Sequence, residues 1–242
     1  MVNAIGLGAI AGLIPVYVGI LAALFLGKVL PRTWESGLIG VATGVLVYLF
    51  FDLMHEATEQ TGARDPLSWL VFLGSLGISF VGLVALESRQ VFGGRAGNRV
   101  LSLPYMIAVG MGLHNLGEGL AIGTSYASGE YTLSLLLVAG FGLHNGTEGF
   151  GIVGAAGKTP ISGRDVILLG LIAGLPTCVG TFLSGQGVSS YFSICFYALA
   201  AGSLLYVILA LTVMSYTATR RVQVATGLFA GISLMYLTAM VL

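Results

Sequence analysis

The sequence predicts an all-α membrane protein, a bundle of eight transmembrane helices, and three observations lead to this fold class. Of the 242 residues, 56% are hydrophobic and only 8% are charged, whereas about a quarter of the residues in a soluble domain are charged. Most of the charges lie between long apolar runs, and each run is long enough for a helix that crosses a bilayer. The runs also lack the alternation of polar and apolar residues that marks the strands of a membrane β-barrel.

Charged and turn residues divide the chain into eight apolar segments, each close to the roughly 20 residues that a membrane-spanning helix needs. Segment one runs nearly uncharged up to Lys28 and has no basic region before it, which predicts a retained span rather than a signal peptide. Few residues lie outside the eight predicted spans, so we expect 1–242 to be a single transmembrane domain. The predicted spans are about 4–27, 36–59, 67–86, 102–125, 132–157, 165–187, 190–216 and 222–242.

The connections between the segments predict the orientation, because Lys and Arg accumulate in cytoplasmic loops. Connections that follow odd-numbered segments hold nine of the ten basic residues, and the others hold only Arg64. We therefore expect an integral protein of the plasma (inner) membrane with both termini outside the cytoplasm. The nine residues are Lys28, Arg32, Arg89, Arg95, Arg99, Lys158, Arg164, Arg220 and Arg221.

The charge balance and the cysteines narrow the function further. Ten basic and ten acidic residues give zero formal charge, so no basic patch indicates a nucleic-acid partner. Cys178 and Cys195 lie in apolar runs without a CxxC pattern, and we interpret them as buried small side chains.

Pairs of glycines four residues apart predict close helix crossings; they are Gly8/Gly12, Gly40/Gly44, Gly170/Gly174 and Gly227/Gly231.

Segments four and five repeat one polar motif. His-Asn-x-x-Glu-Gly occurs at 114–119 and again at 144–149, so the two copies are offset by 30 residues. Consecutive spans joined by a short loop run antiparallel, and the copies must therefore meet as a local inverted pair. At about 1.5 Å per helical residue, His114 and His144 lie roughly 15 to 18 Å inside the outer ends of their segments. In hydrocarbon about 30 Å thick, this depth is the midplane.

Each copy places its His and its Glu four residues apart, on one face of a helix. Glu118 and Glu148 are costly in hydrocarbon when ionised, and no Lys or Arg lies in the core of a span. The negative charges of these two carboxylates must therefore be balanced by protons or by a bound cation, since the chain supplies no basic side chain there. One divalent ion balances two carboxylates, and a His2Glu2 site formed with His114 and His144 suits zinc, iron, cobalt, manganese or cadmium. Asn115 and Asn145 could add oxygen ligands or orient the others.

Segment two carries a second polar face near its predicted outer end. Asp52, His55, Glu56 and Glu59 follow helical spacing, so their side chains share one side of the helix. The cluster could gather cations where metal ions enter the path to the midplane. A solvated helix end produces the same pattern, and the sequence leaves this alternative open.

The paired motif, within eight spans whose termini lie outside the cytoplasm, resembles the ZIP family of divalent-metal transporters. The stretch 200–206, Ala-Ala-Gly-Ser-Leu-Leu-Tyr, is similar to the start of that family's span seven. The resemblance implies a 3+2+3 arrangement of spans with an inverted repeat, a metal path between spans two, four, five and seven, and a homodimer in many members. By motif, His114, Glu118, His144 and Glu148 match its primary metal site, and Asn115 and Asn145 match positions of a second site.

The chain departs from the family pattern at three positions that bear on the metal path. Gly117 and Thr147 stand where the family motifs have proline, so the expected kinks must rest on glycine or be weaker. Leu175 precedes Pro176, where many members have a Glu that serves the second site. We therefore expect one metal ion at the midplane instead of two.

The leading hypothesis is a transporter, and not an enzyme, that moves a divalent transition metal towards the cytoplasm. Its partners would be the metal, as substrate and not as a resident cofactor, and the lipid bilayer, with a possible second copy of the chain. An alternative is an intramembrane zinc-dependent hydrolase, in which histidines and a carboxylate activate water. HExxH is absent from the sequence, and His55 is predicted to lie too far outward to join the other histidines. A metal sensor or a purely structural bundle is a third reading.

Overall fold

The structure, a computed structural model, describes residues 2–29, 32–62, 65–89, 101–157, 159–184, 189–216 and 220–241. All regular secondary structure in these ranges is helical, which confirms the all-α class. Helix α1 consists of Val2–Gly8, a π-helical turn at Ala9–Leu13 and Ile14–Val29. The others are α2 (Arg32–Glu59), α3 (Pro66–Ser88), α4 (Ser102–Ala127), α5 (Tyr131–Ala156), α6 (Gly163–Ser184), α7 (Ser190–Ser215) and α8 (Arg221–Val241).

Among the described residues, six helices are long and apolar enough to cross a membrane, namely α1, α2, α3, α6, α7 and α8. Helices α4 and α5 have 26 residues each but carry the two polar motifs. The helix bounds agree with the predicted spans to within a few residues. Of the residues that predicted the orientation, Arg64, Arg95, Arg99 and Lys158 lie outside the described ranges, as does the segment-six end at 185–187.

Local sequence explains where several helices begin. Helix α3 starts at a proline, which fits the first helical turn because an N–H at this position would find no acceptor within the helix. The Asp65 carboxylate accepts a hydrogen bond from the Leu67 N–H at 3.1 Å. The same carboxylate accepts from the Tyr191 hydroxyl at 2.8 Å, which links the start of α3 to the start of α7. Gly129, with φ of +81°, forms the tight turn between α4 and α5.

Within the described residues, the most extensive helix contacts keep their pattern when α1 is exchanged with α6, α2 with α7, α3 with α8 and α4 with α5. Helix α4 packs on α6, and α5 correspondingly packs on α1. In the same way α2 packs on α8 while α7 packs on α3, and both α4–α5 and α2–α7 are in contact. The motif helices α4 and α5 therefore lie in the middle of the described bundle.

The glycine pairs lie at helix crossings, as predicted. A Cβ added at Gly174 in α6 would lie 2.8 Å from the Cα of Leu13 in α1. One added at Gly44 in α2 would lie 3.0 Å from the Cα of Leu228 in α8, within the crossing that also contains Gly227. Without side chains, these residues allow the helix backbones to approach closely in the apolar interior.

Helices α1 and α6 share a short sequence. Ile-Ala-Gly-Leu occurs at 10–13 and at 172–175, and a proline follows each copy. Pro176 follows its copy directly, whereas Ile14 is inserted before Pro15. The π turn at Ala9–Leu13 accommodates this extra residue, because a π turn encloses one more residue than an α turn.

Candidate metal site

Three of the four predicted metal ligands come together between α4 and α5. Nitrogen Nε2 of His114 lies 3.0 Å from Oε1 of Glu118, and Nε2 of His144 contacts the same oxygen. The ligand atoms of the three residues all lie within 4.8 Å of one another. None of the three side chains is more than 3% exposed. The arrangement supplies two imidazoles and a carboxylate to one point, which suits a divalent transition metal.

The helix geometry explains why these residues meet. His114 and Glu118 are one turn apart on α4, so their side chains extend from the same face. Helix α5 packs against this face and brings His144, whose ring centroid is 6.0 Å from that of His114. Phe141 covers the His144 ring edge to face, with centroids 5.6 Å apart. The site is thus enclosed by protein instead of lying at a helix end.

Glu148, the fourth predicted ligand, is equally buried but does not belong to the group of three. Its Oε2 accepts a hydrogen bond from Nδ2 of Asn115 at 2.9 Å. Its Oε1 is buried, and no described residue gives it a hydrogen bond. The structure therefore places both carboxylates in the interior between α4 and α5, with one against the histidines and the other against an asparagine.

The two asparagines act as hydrogen-bond donors in this structure. Nδ2 of Asn145 donates to Oε2 of Glu118 at 2.8 Å and to the backbone carbonyl of Ala11 at 2.9 Å. Nδ2 of Asn115 donates to Glu148, as above, and to the carbonyl of Ala173 at 3.0 Å. Each asparagine thus connects a carboxylate on the opposite motif helix to the backbone of α1 or α6.

Ala11 and Ala173 contribute to the site through their backbone carbonyls, and the sequence pattern did not predict this role. The repeated Ile-Ala-Gly-Leu sequence could have identified them, since both alanines occupy its second position. Apolar residues in a span are normally interpreted as packing, and only the hydrogen bonds of Asn115 and Asn145 identify these two.

Buried atoms without hydrogen-bond partners surround the site, although buried polar atoms are nearly always paired in proteins. Most of these atoms carry lone pairs that can coordinate a cation. Within the described ranges, the ion pairs of the Glu118 carboxylate are with histidines alone. This donor set fits a divalent metal ion. The atoms are Nδ1 of His114 and His144, Oδ1 of Asn115 and Asn145, and Oε1 of Glu148.

The second polar face, on α2, contributes no residue to the group of His114, Glu118 and His144. Asp52, His55, Glu56 and Glu59 are all exposed, as expected for one helical face. Nε2 of His55 lies 3.4 Å from Oε1 of Glu59, so this histidine does not join His114 and His144. The carboxylate of Asp52 is near enough to both of those histidines for a Coulomb interaction.

The departures from the ZIP pattern have structural counterparts. Leu175 is 43% exposed on the surface of α6. Both motif helices run without interruption through Gly117 and Thr147, and the Thr147 hydroxyl donates to the His144 carbonyl at 2.8 Å. A Cβ at Gly117 would lie 3.4 Å from the Cβ of Ala200, an ordinary van der Waals contact between α4 and α7.

Comparison with known proteins shows a partial similarity to a curated protein. No family model matches the chain. A stretch of 131 residues, 52% of the chain, is 33% identical to part of "Zinc transporter ZIP4" from Homo sapiens. The match covers 20% of that protein, so the chain spans about a fifth of the length of this relative. The chain is thus similar to a part of a zinc transporter.

Proposed function

We propose that this chain is a transporter of the ZIP family that moves a divalent transition-metal ion towards the cytoplasm. The observation that carries the proposal is the buried group of His114, Glu118 and His144 at the contact of two membrane helices. Glu148, whose Oε1 has no described partner, completes a site at the bilayer midplane when an ion is present. The candidate substrates are zinc, iron, manganese, cobalt and cadmium.

Two independent findings support zinc and its chemical neighbours over calcium or magnesium. The similarity to a protein named as a zinc transporter is the first. The second is the ligand set, because imidazole nitrogen favours transition metals, whereas calcium and magnesium prefer oxygen ligands alone. In the proposed transport function, the metal is a substrate that passes through the protein and is not a resident cofactor.

The packing pattern supports a 3+2+3 arrangement of eight spans in one domain comprising 1–242. Helices α1–α3 and α6–α8 are then the repeated units, and α4 and α5 form the inserted pair. The most extensive helix contacts persist under that exchange, as such a repeat requires. Inverted repeats give transporters two related conformations that open to opposite sides of the membrane. Two copies of the chain form the proposed homodimer.

A cavity supports a path between the metal site and one end of the bundle. It has a volume of about 740 Å³ and lies between the ends of α1, α2, α5 and α7 where Lys28 and Arg220 are found. Its lining reaches Phe150, two residues beyond Glu148 on α5. The distribution of basic residues predicts that this end is cytoplasmic. An ion released from the site would enter this cavity on the way to the cytoplasm.

The experiment that tests the function is uptake of zinc into sealed liposomes that contain the purified protein. We expect time-dependent accumulation that exceeds that of protein-free liposomes and saturates with zinc concentration. Parallel measurements with manganese, cobalt, cadmium and iron(II) establish the substrate range. Liposomes that bind zinc only at the level of protein-free controls would contradict the proposal, and hydrolysis of a peptide or ester substrate without uptake would favour the hydrolase alternative.

We predict that the polar face of α2 concentrates cations at the mouth of the path. Replacing Asp52, Glu56 and Glu59 with their amides should raise the apparent KM for zinc by about threefold to tenfold while the maximal rate changes little, because local negative charge raises the capture rate of cations. The effect should shrink at high salt, where exposed charges are screened. Initial uptake rates at several zinc and salt concentrations measure both quantities.

A triple variant that keeps the three negative charges, Asp52→Glu with Glu56→Asp and Glu59→Asp, serves as the matched control for that measurement. Its KM should stay at the wild-type value. If the triple amide variant shows an unchanged KM, the α2 face is only a solvated helix end.

We also predict that each chain binds one divalent ion tightly at the midplane. Two ions would bring four positive charges against the two carboxylates of Glu118 and Glu148, and Leu175 offers no third carboxylate. The excess charge would be buried without compensation, which is strongly unfavourable. Elemental analysis of the metal-loaded, desalted protein should therefore give about one zinc per chain, and two tightly held ions per chain would refute the single-site arrangement.

A further inference from the structure

We propose that Met111 in α4 and Leu211 in α7 form the inner barrier of the transport path, an apolar layer between the metal site and the cavity near Lys28 and Arg220. Both apolar side chains are fully buried, and they meet beside Gly151 of α5. The role of this layer in transport rests on the proposed function, whereas the layer itself belongs to the metal-free protein.

The first step is the position of the layer on the two motif helices. Met111 lies three residues before His114, so it continues the ligand face of α4 by one turn. Gly151 lies three residues after Glu148 and continues the ligand face of α5 in the same way. Because α4 and α5 are antiparallel, both continuations lead from the ligands towards the same end of the bundle.

The second step is the contact of three helices at Gly151. A Cβ placed on this glycine would lie 3.1 Å from the terminal methyl carbon of Met111 and 3.3 Å from Cδ1 of Leu211. The ends of the two side chains, from α4 and α7, therefore fill the space beside the α5 backbone. Methyl groups meet at this point, and an apolar constriction of this kind blocks ions because it excludes water.

The third step is that the cavity begins one turn beyond the layer. Gly154 lies three residues after Gly151 on α5, and Met214 lies three residues after Leu211 on α7. Both Gly154 and Met214 line the cavity. The order along α5 is therefore metal ligand, barrier and cavity, with about one helical turn between consecutive positions. An ion that leaves Glu148 for the cavity has to cross the layer, so transport requires the layer to open.

The methionines of the chain provide a test that needs no transported metal. Hydroxyl radicals generated in solution oxidise methionine sulfur where water reaches it, and mass spectrometry gives the rate at each residue. We expect Met214, at the cavity, to be oxidised at least about tenfold faster than Met111. In Leu211→Ala, the rate at Met111 should approach that at Met214, because water enters the opened layer. Met106, which is equally buried on α4, should stay protected.

Leu169→Ala is the matched control, because Leu169 is fully buried on α6 and the substitution removes the same atoms from a different helix. Met111 should stay protected in this variant. Leu211→Val gives the same comparison with a smaller loss of packing. The proposal is overturned if Met111 of the wild type is oxidised as fast as Met214, or if Leu169→Ala exposes Met111 as much as Leu211→Ala does.

Zinc uptake into liposomes tests the role of the layer in transport. Leu211→Ala should raise the maximal uptake rate about threefold or more, because a thinner apolar layer opens more readily. Its zinc affinity, measured by competition with a fluorescent chelator, should stay at the wild-type value, since the ligands are unchanged. An unchanged maximal rate would refute the role in transport. A wild type that takes up no zinc would refute the proposed function, while the oxidation rates still decide the layer.

Met111→Leu distinguishes a barrier from a ligand. Leucine keeps an apolar side chain of similar volume but lacks the sulfur, and such exchanges are well tolerated in a core. Zinc affinity and zinc uptake should therefore equal those of the wild type. Weaker zinc binding by this variant would make the Met111 sulfur a metal ligand and would refute its role as a barrier.

Discussion

Replacing Glu118 with alanine is expected to reduce zinc uptake to the level of protein-free liposomes. Oxygen Oε1 of this residue contacts both histidines, and Oε2 accepts from Asn145, so the carboxylate is the centre of the site. Without it, the histidines have no carboxylate partner and the buried charge of a bound cation has only Glu148 to balance it. Uncompensated charge in the interior is costly enough to prevent occupancy. We expect the same outcome for Glu148→Ala.

A loss of zinc uptake by the Glu118→Ala protein must be distinguished from a failure of this variant to fold. Glu118→Gln keeps the size of the side chain and should also lack uptake, because the negative charge is lost. Glu130→Ala, at an exposed residue of the turn between α4 and α5, is the control that removes a carboxylate elsewhere. All variants should elute as monodisperse protein in detergent. Wild-type uptake by either Glu118 variant would exclude this residue as a metal ligand.

Replacing Gly149 with alanine is expected to destabilise the folded protein by about 3 kcal/mol, at the upper end of the cost of overpacking a core. A Cβ at this position would collide with the backbone carbonyl carbon of Gly19 and the backbone nitrogen of Ile20 in α1. Because both contacts are backbone atoms, no rotamer change can relieve the collision. Helices α1 and α5 would have to separate, which would also disturb Asn145 and its bond to Ala11.

The matched substitution is Gly74→Ala in α3, where an added Cβ meets no atom within 4 Å. Alanine is a better helix former than glycine by about 1 kcal/mol, so this variant should be at least as stable as the wild type. Thermal unfolding in detergent, together with the yield of monodisperse protein, measures the difference. A Gly149→Ala protein with wild-type stability would contradict the close crossing of α1 and α5.

The eight helical segments could be predicted from the sequence because the apolar environment acts on each segment separately. A run such as 67–86 needs no knowledge of its neighbours to be identified as a helix that crosses hydrocarbon. The two copies of His-Asn-x-x-Glu-Gly were equally accessible, since buried ionisable residues have no ordinary role in a membrane span. The glycine pairs at four-residue spacing indicated where helices cross, because small residues at this spacing allow helices in a membrane to approach closely.

Other features depend on contacts between segments distant in sequence, and only the tertiary structure decided them. The sequence gives Glu118 and Glu148 the same motif, yet Glu118 contacts the histidines whereas Glu148 is held by Asn115. The backbone acceptors at Ala11 and Ala173 were invisible as functional groups, because a carbonyl is present in every residue. Its availability depends on helix geometry and on the approach of an asparagine from another helix.

The sequence by itself therefore determined the class of protein, its helices and the residue types at the site, because hydrophobicity and charge act locally in lipid. The tertiary structure decided the partners of each buried polar atom. A side-chain amide such as that of Asn145 has two donor protons, and which acceptors it meets depends on the packing of α1, α4 and α5 to within a fraction of an ångström. Helix packing, and not composition, therefore distinguishes the two copies of the motif.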